Sequence, residues 1–298
     1  MISSTLVRHP APHPTESLPG YVLRLSEANG CASPRNLYRL AEMNAHQSSL
    51  RNFACSKFAA IANLPTSLLD QIALKSSKSE SEVRLLGNVV SVKDLNLTRA
   101  RVCPECVEEK GFIEAHWLLE IMVACPVHER SAFWYCSECR SPLSWIRSGL
   151  LICKCGSSIS STPRDSYSES DLWLLDLIRR KAIGDRTNRR SSSGMPDSKL
   201  GAMNLHSLLS LVRFLGKRRM TANWSKKKQK GRHLLQAAAT VLADWPHNFE
   251  ILLQDICPRK SGSGEIGAIA LAEDLSNIYE VVHESFNSRL ARYRFITT

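Results

Sequence analysis

The 298-residue chain has no uninterrupted apolar run near the roughly 18 residues a membrane span requires, and the apolar stretch after His116 is broken by Glu120. Its first residues, MISSTLVRHPAPHPTE, lack the basic n-region and apolar h-region of a secretion signal. Both absences point to a cytoplasmic protein with no membrane partner. In that compartment thiols stay reduced, so ten cysteines serve metal better than disulfides. No Walker A motif is present, so the chain is not itself a P-loop ATPase. GSGEIG at 262–267 has the letters of a dinucleotide fingerprint, but DICPRKS before it is no buried strand and no βαβ unit surrounds it. The acidic residues form no metal-binding constellation, which argues against a nuclease or transposase. No repeat longer than a two-cysteine knuckle is visible.

What is present is ordinary globular material: 43% apolar and 22% charged residues, enough to fold and too apolar for wholesale disorder. The length suits two or three modules of about 100 residues each. A net charge of +11 and a pI near 9.3 imply an anionic partner, for which nucleic acid is the commonest candidate.

The apolar periodicity is helical in most of the chain. TESLPGYVLRLSEANG puts Leu18, Tyr21, Val22, Leu25 and Ala28 on one face, with Gly30 as the stop. SPRNLYRLAEM follows with Ser33 as N-cap and Pro34 at the first helical position, and NLPTSLLDQIAL repeats the cap, proline and apolar pattern. Short helices joined by tight turns suggest a helix-turn-helix-like domain over 1–98, with Cys31 and Cys55 as buried apolar fillers. A cysteine-rich module occupies 99–162. SESDLWLLDLIRRKAI reads as a connecting helix over 163–183, capped by Ser168 or Ser170, and 184–199 as a linker. Three helical stretches fill a C-terminal domain over 200–298, the second broken at Pro246. The expected fold is therefore mainly α: helix-turn-helix-like helical domains flanking a tandem structural zinc-binding module.

The cysteines carry the chemistry. CPEC contributes Cys103 and Cys106, CPVH contributes Cys125 and His128, CSEC contributes Cys136 and Cys139, and CKCG contributes Cys153 and Cys155. Eight sulfur-rich ligands in four pairs select zinc, and two four-coordinate sites without an open position would be structural. Iron–sulfur is the competitor, disfavoured by the histidine. Consecutive pairing gives Cys₃His and Cys₄. A cross-braced pairing, as in a RING ubiquitin ligase, stays open, although seven residues from His128 to Cys136 and a CxC final pair fit it poorly. The 18 residues between CPEC and CPVH are too many and too apolar for a DNA-reading finger. AHWLLEIMVA reads instead as a packed segment anchored by Trp117, with His116 a packed or capping residue rather than a fifth ligand.

In order, the motifs ESLPGYVLRLSEANG, CPEC, HW, CPVH, CSEC, LSW, CKCG and, further on, DWPHNF resemble the TniQ/TnsD family of transposition target-selection proteins. The resemblance covers 10–160 and, more loosely, 235–256; residues 160–235 match no pattern. It implies a non-catalytic adaptor with tandem zinc modules, and it carries the family's zinc ligands to the eight residues named above. Members link a target-recognising element to a TnsC-like AAA+ ATPase. Some read target DNA directly, and others are recruited by a CRISPR effector with guide RNA and form dimers on it. The expected place of action is then the cytoplasm, at the nucleoid.

One segment outside that resemblance is strongly cationic. GKRRMTANWSKKKQKGRH holds Lys217, Arg218, Arg219, Lys226, Lys227, Lys228, Lys230 and Arg232 without an acid, and Trp224 lies between the two basic runs. It is the best phosphate-binding candidate, with Trp224 either stacking on a base or pinning the loop. Two readings from other classes compete with the adaptor: a self-contained sequence-specific DNA-binding regulator and a RING-like ubiquitin ligase.

Overall fold

The computed structural model describes residues 6–77, 79–160, 167–187, 197–219 and 230–256. The stretch 262–267, the last expected helix, and Trp224, Lys226, Lys227 and Lys228 lie outside the described residues. The chain is mainly helical and divides into two compact units: Met1–Ser166 with Arg179–Arg186, and Tyr167–Ile178 with Thr187–Thr298.

The first unit begins with four short helices: α1 (Leu18–Ala28), α2 (Pro34–Leu40), α3 (Cys55–Ala62) and α4 (Thr66–Ile72). Ser17 starts α1, its hydroxyl accepting from the Gly20 N–H at 3.2 Å. Gly30, at φ +64°, ends it: the Gly30 N–H reaches the Glu27 carbonyl and the Cys31 N–H reaches Ser26, a Schellman closure. Ser33 caps α2 with Pro34 at its first position, as the sequence pattern requires. The third repeat of that pattern behaves differently. Pro65 precedes α4 rather than opening it, and no side chain caps the helix. Asn63 instead closes α3 in the left-handed conformation, which asparagine tolerates, and Pro65 disfavours helical backbone at Leu64.

The helices bury Tyr21, Leu25, Leu37, Phe58, Leu69 and Ile72 in one core. Cys31 and Cys55, expected as buried apolar fillers, pack against this core at its edge and are half-buried. An extended arm before α1 is held by Asn29, whose carboxamide accepts from the Val7 and Arg8 N–H groups and donates to the Arg8 carbonyl. Below it, the fully buried Glu16 takes a two-pronged grip from Arg24 at 2.9 and 2.7 Å.

An antiparallel sheet that the periodicity did not reveal follows α4: β1 (Lys75–Ser76), β2 (Glu82–Leu85) and β3 (Asn88–Ser91). Lys75 stands opposite Arg84, and Val83 opposite Val90. The β2–β3 hairpin turns at Leu86 and Gly87, both at positive φ (+47° and +83°), the primed geometry that matches strand twist. The cysteine-rich part adds α5 (Pro104–Lys110), a 3₁₀ turn at Ala115–Leu118, and a ladder of β4 (Ala124–Cys125) with β5 (Arg130–Ser131).

The second unit takes the N-terminal part of α6 (Glu169–Ile183), then α7 (Asp197–Ala202), α8 (Leu205–Arg219), α9 (Lys230–Leu242) and α10 (His247–Ile256). Of the two candidate caps, Ser168 is the one used: its hydroxyl accepts from the Asp171 N–H, while the Asp171 carboxylate accepts from the Ser168 N–H. Helix α7 begins inside the stretch read as linker, and the run from residue 200 is not one helix. Asn204 interrupts it by capping α8, accepting from the Ser207 N–H at 2.8 Å. Helices α8 and α9 approach closely at Gly216, where a Cβ would lie 2.5 Å from the Leu234 carbonyl. The chain breaks between α9 and α10 at Pro246, where the sequence places it.

A close approach also fixes Gly20 in the first unit. A Cβ there would meet the Ser17 hydroxyl at 2.6 Å and Ile113 at 3.0 and 3.2 Å. Gly20→Ala should therefore lower stability by about 1–3 kcal/mol despite alanine's better helix propensity. A denaturant midpoint that stays or rises would refute this packing.

Candidate metal centres

The first quartet is built from two elements. Cys103 sits at the N-cap position of α5 with Pro104 behind it, and Cys106 follows on the first turn. Cys125 ends β4, and the turn into β5 presents His128. His128 Nδ1 lies 3.4, 3.3 and 3.5 Å from the sulfurs of Cys103, Cys106 and Cys125, and the last two sulfurs are 3.5 Å apart. A zinc ion at bond lengths of about 2.3 Å to sulfur and 2.0–2.1 Å to nitrogen needs tetrahedron edges of roughly 3.5–3.8 Å. The donor set fits. The three cysteines are buried and His128 is half-buried.

Two further contacts orient the ligands. The His128 Nε2–H group donates to Glu109 at 2.9 Å, leaving Nδ1 free to face the sulfurs. The His128 backbone N–H donates to the Cys125 sulfur. Without a cation the thiols compete for protons. Hydrogen bonds from Cys103 and Cys106 draw the Cys125 pKa far down, while the bonds to Cys106 and Cys125 push Cys103 far up. A dication relieves that conflict by replacing the protons.

Cys136, Cys139, Cys153 and Cys155 form the second quartet. The Cys136–Cys155 and Cys139–Cys153 sulfurs are 3.7 and 3.8 Å apart, again tetrahedral edges for zinc. Cys136 and Cys153 are buried, Cys139 is half-buried and Cys155 is exposed. The Ser157 hydroxyl lies 3.1 Å from both Cys136 and Cys155. That contact, before others, lowers the Cys136 pKa to about 6, whereas burial pushes Cys153 up to about 12.

The eight residues thus gather as consecutive quartets, and the cross-braced arrangement left open by the spacing is not the one adopted. Each quartet can hold one zinc ion. The turns after the ligand pairs use positive φ at Glu129 (+55°), Arg140 (+53°) and Gly156 (+91°). Only the glycine signalled this in the sequence.

Between CPEC and CPVH the chain packs inward, and Trp117 is 1% exposed. His116 is also buried and belongs to neither quartet; burial lowers its pKa to about 4, so its ring is neutral at pH 7. Its nearest ionic neighbour is Glu114 at 3.7 Å. Burial disfavours the Glu114 carboxylate, yet Lys110 at 2.6 Å and Arg179 at 3.6 Å hold its pKa below the usual value. No sequence signal pointed to this buried ionic group.

Three of the basic candidates sit together in the last turn of α8. Lys217 and Arg219 are exposed, while the Arg218 guanidinium lies over the Phe214 ring at 5.6 Å. Arg232 stacks over Tyr167 at 4.8 Å. Lys230 opens α9, and its side chain is outside the described residues. Cations at the C-terminal end of α8 also complement its dipole.

The chain is mainly helical and carries two sulfur-rich quartets that could each hold a zinc ion. Residues 7–131 match the TniQ family. TniQ marks transposition-associated target selection. The match encloses the first quartet and ends before the second. A search of curated proteins returned no match. Among the described residues no helix is long and apolar enough to cross a membrane.

Elemental analysis of the purified chain should find two zinc ions. Glu109→Gln should keep that stoichiometry at saturation but weaken one site about 10–100-fold in chelator competition. Equal affinity in the variant would show that Glu109 does not tune His128.

Proposed function

We propose that the chain is a non-catalytic target-site selection adaptor. It links target DNA, or a DNA-bound CRISPR effector with guide RNA, to a TnsC-like AAA+ regulator. The observation that carries this reading is the TniQ domain enclosing a four-ligand metal site of protein donors alone. Zinc held by four protein ligands supplies fold energy rather than Lewis-acid chemistry, because no coordination position is left for substrate or water. The residues around it therefore act by presenting a fixed surface. Cys103 and Cys106 anchor α5, Cys125 and His128 anchor the β4–β5 turn, and the packed Trp117 segment lies between them.

DNA attraction in this reading comes from the basic run between Lys217 and Arg232. Of its described members, Lys217 and Arg219 are exposed. Dimerisation on an RNA-guided effector and action at the nucleoid belong to the same proposal. The consecutive quartets speak against the RING reading, whose hallmark is the cross-brace.

Co-precipitation with a TnsC-like ATPase, beside binding to naked duplex, tests the adaptor. Capture of the ATPase is expected. Duplex binding without capture would favour a self-contained regulator, and ubiquitin transfer with an E2 enzyme would overturn both. If about four cations neutralise phosphates, the log-log salt slope should be roughly −4. Reversing Lys226, Lys227 and Lys228 to Glu should weaken duplex binding and flatten that slope; unchanged binding would remove the basic run from the mechanism.

A further inference from the structure

The two quartets differ in what shields their sulfurs. In the first, Cys103, Cys106 and Cys125 are at most 4% exposed, and they stand on a helix start and a strand ladder. In the second, no ligand lies on a helix or a named strand, and the pairing around it is by isolated bridges such as Tyr135 with Pro142 and Ile152 with Ser158. Cys136 and Cys153 are buried, whereas Cys155 is exposed between the equally exposed Lys154 and Gly156.

Cys155 lies at the tip of a short turn. The base of that turn is closed by the Cys153 N–H, which donates to the Ser157 carbonyl at 2.8 Å, and by the Gly156 N–H, which donates to the Cys153 carbonyl at 2.9 Å. Cys153 is thus held inside while Cys155 meets solvent. The Cys155 sulfur is 3.7 Å from that of Cys136, and the Ser157 hydroxyl lies 3.1 Å from both. An exposed sulfur therefore has a buried sulfur as its immediate neighbour.

We propose that Cys155 is an oxidation site for hydrogen peroxide and that Cys136 resolves it as a disulfide, opening the second quartet while the first stays closed. Sulfurs that ligate zinc are thiolates in either quartet, so exposure decides which one an oxidant reaches. The Cys155 thiolate attacks one peroxide oxygen: an S–O bond forms, the O–O bond breaks, and the departing hydroxide takes a proton to become water. The Cys136 thiolate then attacks the Cys155 sulfur, forming the S–S bond and expelling a second hydroxide, which also leaves as water. Two electrons pass from the sulfurs to the peroxide, and only Cys139 and Cys153 remain as donors.

Two thiolates are too few to retain zinc in a site that needs four ligands. The surrounding loop keeps its other ties, because Arg147 holds the carbonyls of Ser144, Gly149 and Leu150, and Glu27 accepts from the Leu150 N–H. None of these contacts involves a sulfur. Opening is therefore local, and a disulfide is reversed by a thiol reductant. The proposal stands apart from the adaptor reading and does not depend on it.

The test uses the full chain loaded with zinc. Hydrogen peroxide is added beside a metallochromic chelator, a peroxide-free sample serves as control, and digested samples are mapped for disulfides by mass spectrometry. Loss of one zinc ion of two is expected, with a Cys136–Cys155 disulfide and with Cys103, Cys106 and Cys125 still reduced. Reductant and added zinc should restore the original stoichiometry. Cys155→His keeps a fourth donor without the exposed sulfur, and over the same interval it should lose no zinc to peroxide. If that variant binds only one zinc ion, the disulfide map of the unaltered chain decides.

The proposal is overturned if both ions leave together, if the first quartet oxidises first, or if the disulfide joins another pair. Equal release with and without peroxide, or loss that reductant and zinc do not reverse, would also overturn it.

Discussion

Cross-linking by the two quartets is the constraint on which the first unit depends. From Ala100 to Ser160 the regular structure consists of one seven-residue helix, one 3₁₀ turn and two strands of two residues. Pairing of that length cannot persist in water by itself. Cys103 and Cys106 hold the start of α5 against the β4–β5 turn, and the second quartet gathers loops whose strand pairing is limited to isolated bridges. A structural zinc ion contributes apparent binding energies of about 10–16 kcal/mol, comparable to the whole stability of a typical domain. With a zinc ion in each quartet, apolar burial would refine a shape that the metal sites define.

Buried charge completes the frame where backbone runs without regular partners. Arg147 is 1% exposed and donates to the carbonyls of Ser144, Gly149 and Leu150, closing the loop between the cysteine pairs of the second quartet. Burial lowers its pKa to about 9, so it remains a cation at neutral pH. Glu27 of α1 accepts from the Leu150 N–H, which ties that loop to the helical part of the same unit. Replacing such groups costs more than their net hydrogen-bond energy, because the carbonyls they satisfy would be left unpaired.

Features that depend on spacing were legible in the sequence. The cysteine pairs, the Ser33 cap with Pro34, the Gly30 stop and the break at Pro246 are local chemistry, and each governs its own neighbourhood. Sheet β1–β3 was not legible, because strands of two to four residues are too short to establish alternation. The left-handed positions at Glu129 and Arg140 are imposed by ligand geometry rather than by residue preference. Arg179 meets Glu114 and His116 from a distant part of the chain, and no local pattern announces such a meeting. Pro65 misled for a physical reason: cap-and-proline chemistry also suits the turn between two helices.

Charge is distributed unevenly along the chain, and that separates two ways of meeting a polyanion. Residues 1–160 carry 17 basic and 14 acidic side chains, whereas 161–298 carry 22 and 14. The part that carries the two quartets is thus nearly neutral and has little long-range pull on phosphate, so discrimination by it would have to come from shape and a few placed polar groups. The run from Lys217 to Arg232 has the opposite character: strong attraction with no sequence information. A target selector needs discrimination that survives physiological salt. Contacts to base edges are screened far less than an exposed cation run, so selectivity is better placed on the rigid unit than on the charged one.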